Sequence, residues 1–204
     1  MRKIFFLLLT SLLIIQASCL FQSNLDERDK QNYLEIISLY PESLVSHFPE
    51  NVDSKRVVLF ELLFPRGRYL NYIHLGILCD NEELNQLRKE ATFKAKGIYH
   101  ITDSCLVLPY DYAKFEILVS SDSIRNSQFA GMLPIPSFHK WETNFPSDFN
   151  KEAIVYLLAA EKGSFLTDDC LSRNGVGLPD DWKHGYTKGV SIYKNYAIYW
   201  LEVW

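Results

Sequence analysis

A short stretch near the C-terminus of the chain combines aromatic and cationic side chains in a pattern that could bind a ligand. Residues 178–189 read LPDDWKHGYTKG, in which Trp182, His184 and Tyr186 alternate and Lys183 lies among them. An aromatic face can stack on a sugar ring, and a neighbouring cation can hold an anion. We therefore predict these four residues as candidate binding residues. The alternative is that Trp182 and Tyr186 plug the end of a sheet while the polar groups are solvated.

The four cysteines do not have the spacing of a metal site or a redox pair. Cys79 ends an apolar run and Cys105 begins one, so both are predicted to be buried small hydrophobic residues. No C-x-x-C or H-x-x-x-H pattern occurs, so no structural zinc site is expected. If Cys19 is modified, then Cys79, Cys105 and Cys170 allow one disulfide with an odd thiol, or none.

Paired acids near the same C-terminal stretch could supply oxygen ligands to calcium. Asp168, Asp169, Asp180 and Asp181 do not match the D-x-D-x-D-G pattern of a calcium-binding loop. Solvated turn residues are therefore the favoured interpretation, and we expect neither a metal nor a cofactor.

Residues 103–107, DSCLV, are similar to a motif of the cysteine peptidases that cut cell-wall peptides. That family has D-C-S-G followed by apolar residues, whereas here the serine and cysteine are transposed and the glycine is missing. The resemblance implies a Cys105 nucleophile with a histidine base, for which His184 is the candidate. Paired acids such as Asp168 and Asp180 would be another arrangement for a hydrolase. No G-x-S-x-G, P-loop, G-x-G-x-x-G or H-E-x-x-H occurs, so no catalytic residue is predicted.

The first residues have the pattern of an export signal. Arg2 and Lys3 precede residues 4–15, of which ten of twelve are apolar. Twelve helical residues cover only about 18 Å, which is short of the ~30 Å hydrocarbon core of a bilayer. Ala17-Ser18-Cys19 resembles the lipobox of bacterial lipoproteins, although Gln16 replaces the usual leucine. The resemblance implies acylation of Cys19, which would give stable membrane anchoring. Cleavage without a lipid is the alternative.

The composition excludes several classes of protein. The chain has 204 residues, 48% of them hydrophobic and 14% aromatic, with a formal charge of −4. That apolar fraction is too high for intrinsic disorder. Because Arg2 and Lys3 lie in the predicted leader, residues 20–204 carry −6. An acidic chain of this kind is not expected to bind nucleic acid through its charge.

The remaining pattern predicts one α+β domain over residues 25–204, with a mostly antiparallel sheet and one or two packed helices. Its predicted helices cover residues 25–39 and 82–96, and a second short helix starts at residues 41–45 and is ended by Pro49. The helix over 82–96 has Asp80-Asn81 as its predicted N-cap and Gly97 as its predicted stop. Leu84, Leu87, Ala91 and Phe93 are predicted to form the apolar face of that helix. The predicted strands are 57–64 and 69–79 as a hairpin, 98–101, 104–108, 115–120, 153–159 pairing with 163–166, and 190–193 joined by a turn at Lys194-Asn195 to a central strand over 196–203. Residues 121–150 are predicted as a long loop with one short helix, and residues 167–189 as a loop. His74 and His100 are predicted as satisfied core or edge residues.

We expect residues 1–18 to be a signal peptide and residues 19–24 to be a tether for the lipid anchor. The C-terminal stretch, together with Tyr199-Trp200-Leu201, resembles uncharacterised bacterial envelope proteins, a likeness that implies no activity. The predicted function is a non-enzymatic binding or interaction module of the cell envelope, held at the membrane by its lipid, with a protein or glycan partner. The alternatives are a cell-wall or glycan hydrolase, a protective immunity-type envelope protein, and a soluble secreted protein.

Overall fold

A computed structural model describes residues 27–64, 69–118, 132–141 and 148–204. Its helices are α1 (Glu27–Leu39), α2 (Glu42–Val45), α3 (Asn81–Lys94) and α4 (Phe149–Glu152). Its strands are β1 (Val57–Leu63), β2 (Asn71–Leu78), β3 (Gly97–His100), β4 (Leu106–Val107), β5 (Tyr110–Asp111), β6 (Glu116–Ile117), β7 (Pro134–Ile135), β8 (Ile154–Lys162), β9 (Gly185–Tyr193) and β10 (Tyr196–Val203). The predicted signal peptide, the tether and Cys19 lie outside the described residues.

Six strands form one antiparallel sheet in the order β1-β2-β10-β9-β8-β3. Two short pairs accompany it, β4 with β7 in parallel and β5 with β6 antiparallel. The predicted α+β class, single domain and mostly antiparallel sheet are therefore confirmed. The hairpin of β1 and β2 and the hairpin of β9 and β10 also form as predicted.

Strand β10 lies between β2 and β9 in the sheet, and it carries apolar residues on both of its faces. Ile198 and Trp200 are fully buried on one side, and Ala197 and Leu201 are fully buried on the other. A strand covered on both faces reads as a continuous apolar run, as the sequence predicted.

The two faces of the sheet are covered by different kinds of structure. On what we call the helix face, Tyr33 of α1, Leu44 of α2 and Leu84 of α3 pack against Leu75 and the other helix-face residues of the strands. On what we call the loop face, short strands, α4 and turns supply the cover. The cluster of the loop face includes Leu108, Phe138, Phe149, Val176, Trp182, Trp200 and Trp204. Each face therefore has its own hydrophobic core.

Helix α3 begins with a complete capping box. The Asp80 carboxylate accepts hydrogen bonds from the Glu82 and Glu83 amides, both at 2.9 Å, and Glu83 Oε2 accepts from the Asp80 amide at 2.9 Å. This reciprocal arrangement satisfies amides that would otherwise lack partners at the helix start. The predicted cap is confirmed. The predicted stop is wrong, because Gly97 is the first residue of β3 and the helix ends at Lys94.

Two other local predictions are wrong. Phe93 was expected on the buried face of α3 but is 90% exposed, whereas Leu84 and Ala91 of the same helix are buried. Residues 163–166 do not form a strand; β8 instead pairs with β9, with Ile154 opposite Ile192 and Lys162 opposite Gly185. Because β9 begins at Gly185, the predicted loop over 167–189 ends five residues early.

Candidate functional site

The four residues predicted to bind a ligand near the C-terminus are divided between the two faces of the sheet. Trp182 is 5% exposed and lies in the loop-face core, 6.0 Å from Trp204 between ring centroids. Tyr186 is also 5% exposed but packs edge-on against Phe165 at 4.6 Å in the helix-face core. The two aromatic rings therefore do not share a surface on which a ligand could stack.

The polar members of the same group are more accessible. Lys183 is exposed and His184 is half-buried, and the Nδ1 of His184 is buried without a hydrogen-bond partner among the described residues. The cation near the Trp182 ring comes from the chain itself, since Lys162 Nζ lies 5.2 Å from the ring centroid and also pairs with Asp181. A ligand contact at Lys183 and His184 remains a prediction.

The thiols of Cys79, Cys105 and Cys170 are all unbridged. Cys105 is 8% exposed within the loop-face core, and no hydrogen bond joins it to His184 within the described residues. Burial, with a further contribution from Asp103, raises the pKa of the Cys105 thiol. A nucleophilic cysteine needs the opposite change, because the thiolate is the reactive form.

The paired acids lie in two separate 3-10 turns, Asp168–Cys170 and Asp180–Trp182. In the described ranges, no three His, Cys, Asp or Glu side chains are grouped so that they could hold a metal ion.

A cluster of ionisable side chains lies among the apolar residues of the loop-face core. His74 of β2 is fully buried, with Nε2 2.9 Å from Glu202 Oε1 and Nδ1 3.1 Å from Glu61 Oε2. Tyr112 donates its hydroxyl hydrogen to the same Glu202 oxygen at 2.6 Å. The Trp141 ring stacks on the imidazole with centroids 3.7 Å apart. We call Glu61, His74, Tyr112 and Glu202 the buried charge cluster.

Register explains how these groups meet. Glu61 of β1 pairs directly with His74 of β2, and Glu202 of β10 pairs with Tyr72, which is two residues from His74 on the same face of β2. Each of the three neighbouring strands thus contributes one ionisable residue to the same face. Both imidazole nitrogens face carboxylate oxygens, so the arrangement suits the doubly protonated, cationic ring.

The electrostatics of the buried charge cluster follow from this geometry. Burial opposes a charge on His74, but the hydrogen bonds to Glu202 and Glu61 and the attraction of both carboxylates outweigh it and raise the pKa of His74. Burial and the neighbouring Glu202 hold the pKa of Tyr112 well above its ordinary value, so this phenol stays protonated. Glu202 Oε2 is buried without a partner in the described part of the chain. Because His74 and Glu202 are 0% exposed, a ligand cannot contact them directly.

An open cavity lies on the other side of the sheet. It has a volume of about 450 Å³. It is bounded by α3, by the segment from Pro49 to Arg56, and by Ile77 of β2 and Tyr199 of β10. Cavities of about 300–1,000 Å³ are typical of small-molecule sites in proteins. We call this space the α3 cavity.

The lining of the α3 cavity has an apolar, mostly buried part and a polar, mostly exposed part. Buried or half-buried Val52, Ile77, Leu87 and Tyr199 form the apolar part. The polar side chains are Asn51, Asp53, Arg56, Glu83, Gln86 and Glu90. A site with an apolar floor and a few polar groups at its mouth can both desolvate and orient a small molecule.

The guanidinium of Arg56 is the single cation among the described lining residues, and one N–H group on each of its three nitrogens is already engaged. Nε donates to the Leu78 carbonyl at 2.6 Å, Nη1 donates to Glu83 Oε1 at 2.9 Å, and Nη2 pairs with Glu83 Oε2. The pair ties the loop before β1 to the start of α3 in a bidentate geometry. It also leaves two lining carboxylates, Asp53 and Glu90, without an ion-pair partner among the described residues.

Comparisons with known protein families, with curated proteins and with solved structures found no match to this chain. Within the described ranges, no helix is both long enough and apolar enough to cross a membrane.

Neither the buried charge cluster nor the α3 cavity was predicted from the sequence. For the cluster a signal was present, since each of three predicted strands carries one ionisable residue among apolar ones: Glu61, His74 and Glu202. Placing those strands side by side in the right register would have identified the cluster. The cavity had no comparable signal, because its lining comes from three segments that only the folded chain brings together.

Proposed function

We propose that this chain is a binding module of the bacterial cell envelope, exported by its N-terminal signal and held at the membrane by a lipid on Cys19. The observation that carries the binding role is the α3 cavity, whose volume and mixed lining suit a small ligand. The lipobox-like Ala17-Ser18-Cys19 supports the anchor. The chain would then present an accessible binding site from a membrane-tethered domain.

Binding is favoured over catalysis by where the reactive groups lie. The Cys105 thiol is buried with a raised pKa, and His74 and Glu202 are closed off from solvent. The α3 cavity is open, but the thiol in its lining, Cys79, also has a raised pKa, through burial and the nearby Glu83. We therefore assign the accessible site to ligand binding.

The anchor is tested by replacing Cys19 with Ala and fractionating the cells that express each chain. We expect the unchanged chain in the membrane fraction and the variant in the soluble exported fraction. The matched control is Cys79→Ala, which removes a different unbridged thiol and should leave the distribution unchanged. A Cys19→Ala variant that stays bound to the membrane would contradict the lipid anchor.

The cavity is tested with 2-phenylethanol, a small neutral probe that fits its apolar part. We expect NMR chemical-shift changes on titration to concentrate at Cys79, Gln86 and Leu87. The variant Leu87→Trp fills the space and should abolish them, whereas Phe93→Trp on the exposed side of the same helix should not. Changes that persist in Leu87→Trp would exclude the α3 cavity as the binding site.

A further inference from the structure

The charges around the α3 cavity restrict the kind of ligand that it can take. The lining contains three carboxylates, Asp53, Glu83 and Glu90, and one guanidinium, that of Arg56. Glu83 and Arg56 neutralise each other through both carboxylate oxygens. The residual charge is therefore negative, and it resides on Asp53 and Glu90.

The hydrogen bonds made by these two carboxylates leave room for a further donor. Asp53 Oδ1 accepts from the Lys55 amide at 3.0 Å, and Glu90 Oε1 accepts from Gln86 Nε2 at 2.7 Å. An ionised carboxylate has about four acceptor positions, so each retains capacity for another hydrogen bond. A ligand ammonium has three donors and suits such positions.

The apolar part of the cavity lies close to acidic side chains of α3. Tyr199 is 9% exposed, and both Glu90 and Glu83 act electrostatically on its hydroxyl, after the larger effects of burial and Cys79, to raise its pKa. A ligand body seated on Tyr199, Ile77 and Leu87 would thus have its polar end beside acidic groups. An aromatic floor also favours a cation, through attraction to the ring face.

An anionic ligand does not fit this arrangement. Among the described lining residues Arg56 is the only cation, and one N–H group on each of its Nε, Nη1 and Nη2 is held by Leu78 or Glu83. An anion that displaced Glu83 from Arg56 would leave a third uncompensated carboxylate, and an anion that left the pair in place would meet the residual negative charge of Asp53 and Glu90. Like charges placed together oppose binding, so the lining repels an anionic ligand and attracts a cationic one.

We propose that the α3 cavity selects a small organic amine, with an apolar body against Tyr199 and Leu87 and an ammonium group between Asp53 and Glu90. This inference rests on the proposed function, because it names the ligand class of the same cavity. The volume of about 450 Å³ favours a free small molecule over a folded partner. The lysine side chain of a peptide carries the same ammonium group and is the competing source.

Three probes of matched size separate ligand charge from cavity occupancy: phenethylammonium, 2-phenylethanol and 3-phenylpropionate. Each is titrated into the purified full chain at constant ionic strength and followed by NMR chemical shifts at Cys79 and Gln86. We expect the cation to bind about three- to tenfold more tightly than the neutral alcohol, and the anion to bind most weakly. Nα-acetyl-lysine methylamide is the fourth arm, and it should bind more weakly than phenethylammonium.

The carboxylate is tested with the variant Glu90→Gln, which keeps the side-chain shape and removes the charge. Affinity for phenethylammonium should fall about three- to fivefold while affinity for 2-phenylethanol stays the same. The matched control is Glu35→Gln on α1, since Glu35 accepts a hydrogen bond from Gln31 at 2.8 Å in the same i, i+4 geometry but does not line the cavity. It should change neither affinity.

The outcomes distinguish the two proposals. If none of the probes binds, the assignment of the cavity as a binding site fails. If all three small probes bind equally, or the anion binds best, the cavity remains a binding site and the selection of an amine is wrong. If the lysine derivative binds more tightly than phenethylammonium, the occupant is a peptide side chain and the small-amine assignment is overturned.

Discussion

His74 on the loop face and His47 on the helix face of the same sheet have pKa values that are shifted in opposite directions. His74 lies between Glu61 and Glu202, and those carboxylates raise its pKa despite burial. His47 has its Nε2 3.0 Å from the Trp200 carbonyl and, among the described residues, no carboxylate partner. Burial of its ring, with the nearby Lys188 ammonium, lowers the pKa of His47 to about 3.

The two faces differ in how their ionisable groups are surrounded. On the loop face most polar atoms of these groups have hydrogen-bond partners within the protein, so the groups contribute to stability and its pH dependence. On the helix face exposed carboxylates lie at the mouth of an open cavity. Burial and pairing, and not residue type alone, therefore decide which ionisable groups can act on another molecule.

The largest expected effect comes from removing the cation of the loop face. His74→Gln leaves Glu61 and Glu202 without a positive charge between them, and loss of one partner from a buried pair costs about 3–5 kcal/mol. Urea denaturation at pH 6 measures this loss. The matched control is His100→Gln on the edge strand β3, where the imidazole bonds only Thr102 and about 1 kcal/mol or less is expected. Equal losses in both variants would refute a special role for the buried charge cluster.

The pH dependence of the two histidines should have opposite signs. Because the folded pKa of His47 is about 3, against about 6.5 in the unfolded chain, its contribution to stability is present above pH 6.5. That contribution is lost as the pH falls towards 3, by up to about 1.4 kcal/mol per pH unit. His74 has a raised pKa, so its contribution is complete below pH 6.5 and is lost as the pH rises through its folded pKa.

Unfolding free energies measured between pH 4 and pH 9 test both signs. In His47→Gln the unfolding free energy should decrease less steeply as the pH falls. In His74→Gln it should decrease less steeply as the pH rises. A His47→Gln variant that changes only the alkaline side of the curve, or a His74→Gln variant that changes only the acid side, would show that the direction of that histidine's pKa shift is wrong.

A smaller effect is expected where Trp200 packs on the loop face. A Cβ at Gly189 would lie 2.5 Å from Trp200 Cζ2 and would also contact the Tyr156 carbonyl. Gly189→Ala should therefore cost about 1–3 kcal/mol through overpacking, measured by urea denaturation. Ser191→Ala, two residues along the same strand, is the control; its buried hydroxyl has no hydrogen-bond partner in the part of the chain that the structure describes, so its removal should be neutral or stabilising. A neutral Gly189→Ala would mean that the indole can move aside.

The smallest effect is predicted on the helix face, at the start of α3. Asp80→Ala removes the side-chain acceptor for the Glu82 and Glu83 amides and should cost about 1 kcal/mol. Asp80→Asn keeps the cap and should cost much less. Hydrogen exchange of the first turn of α3 provides a local readout, and unchanged protection in Asp80→Ala would contradict the cap.

Local sequence patterns predicted the elements whose determinants are local. The start of α3 depends on Asp80 and Glu83, which are three residues apart, and the turn at Lys194 and Asn195 joins strands that are adjacent in the chain. The partner of β8 could not be predicted in this way, because Ile154 pairs with Ile192, which lies 38 positions away. Phe93 was assigned to the wrong side of α3 because its apolar type was counted and its helical position was not: at about 100° per residue it lies about 200° around the helix from the buried Ala91.

The sequence by itself determined the α+β class, the capped helix and a central apolar strand, since helical and strand periodicity record which faces are buried. It also identified single ionisable residues within apolar runs. Only the tertiary structure decided that Glu61, His74 and Glu202 meet, and that Trp182 and Tyr186 lie on opposite faces. The physical reason is that sheet register and helix docking bring distant segments together, and the energy of a buried charge depends on those neighbours.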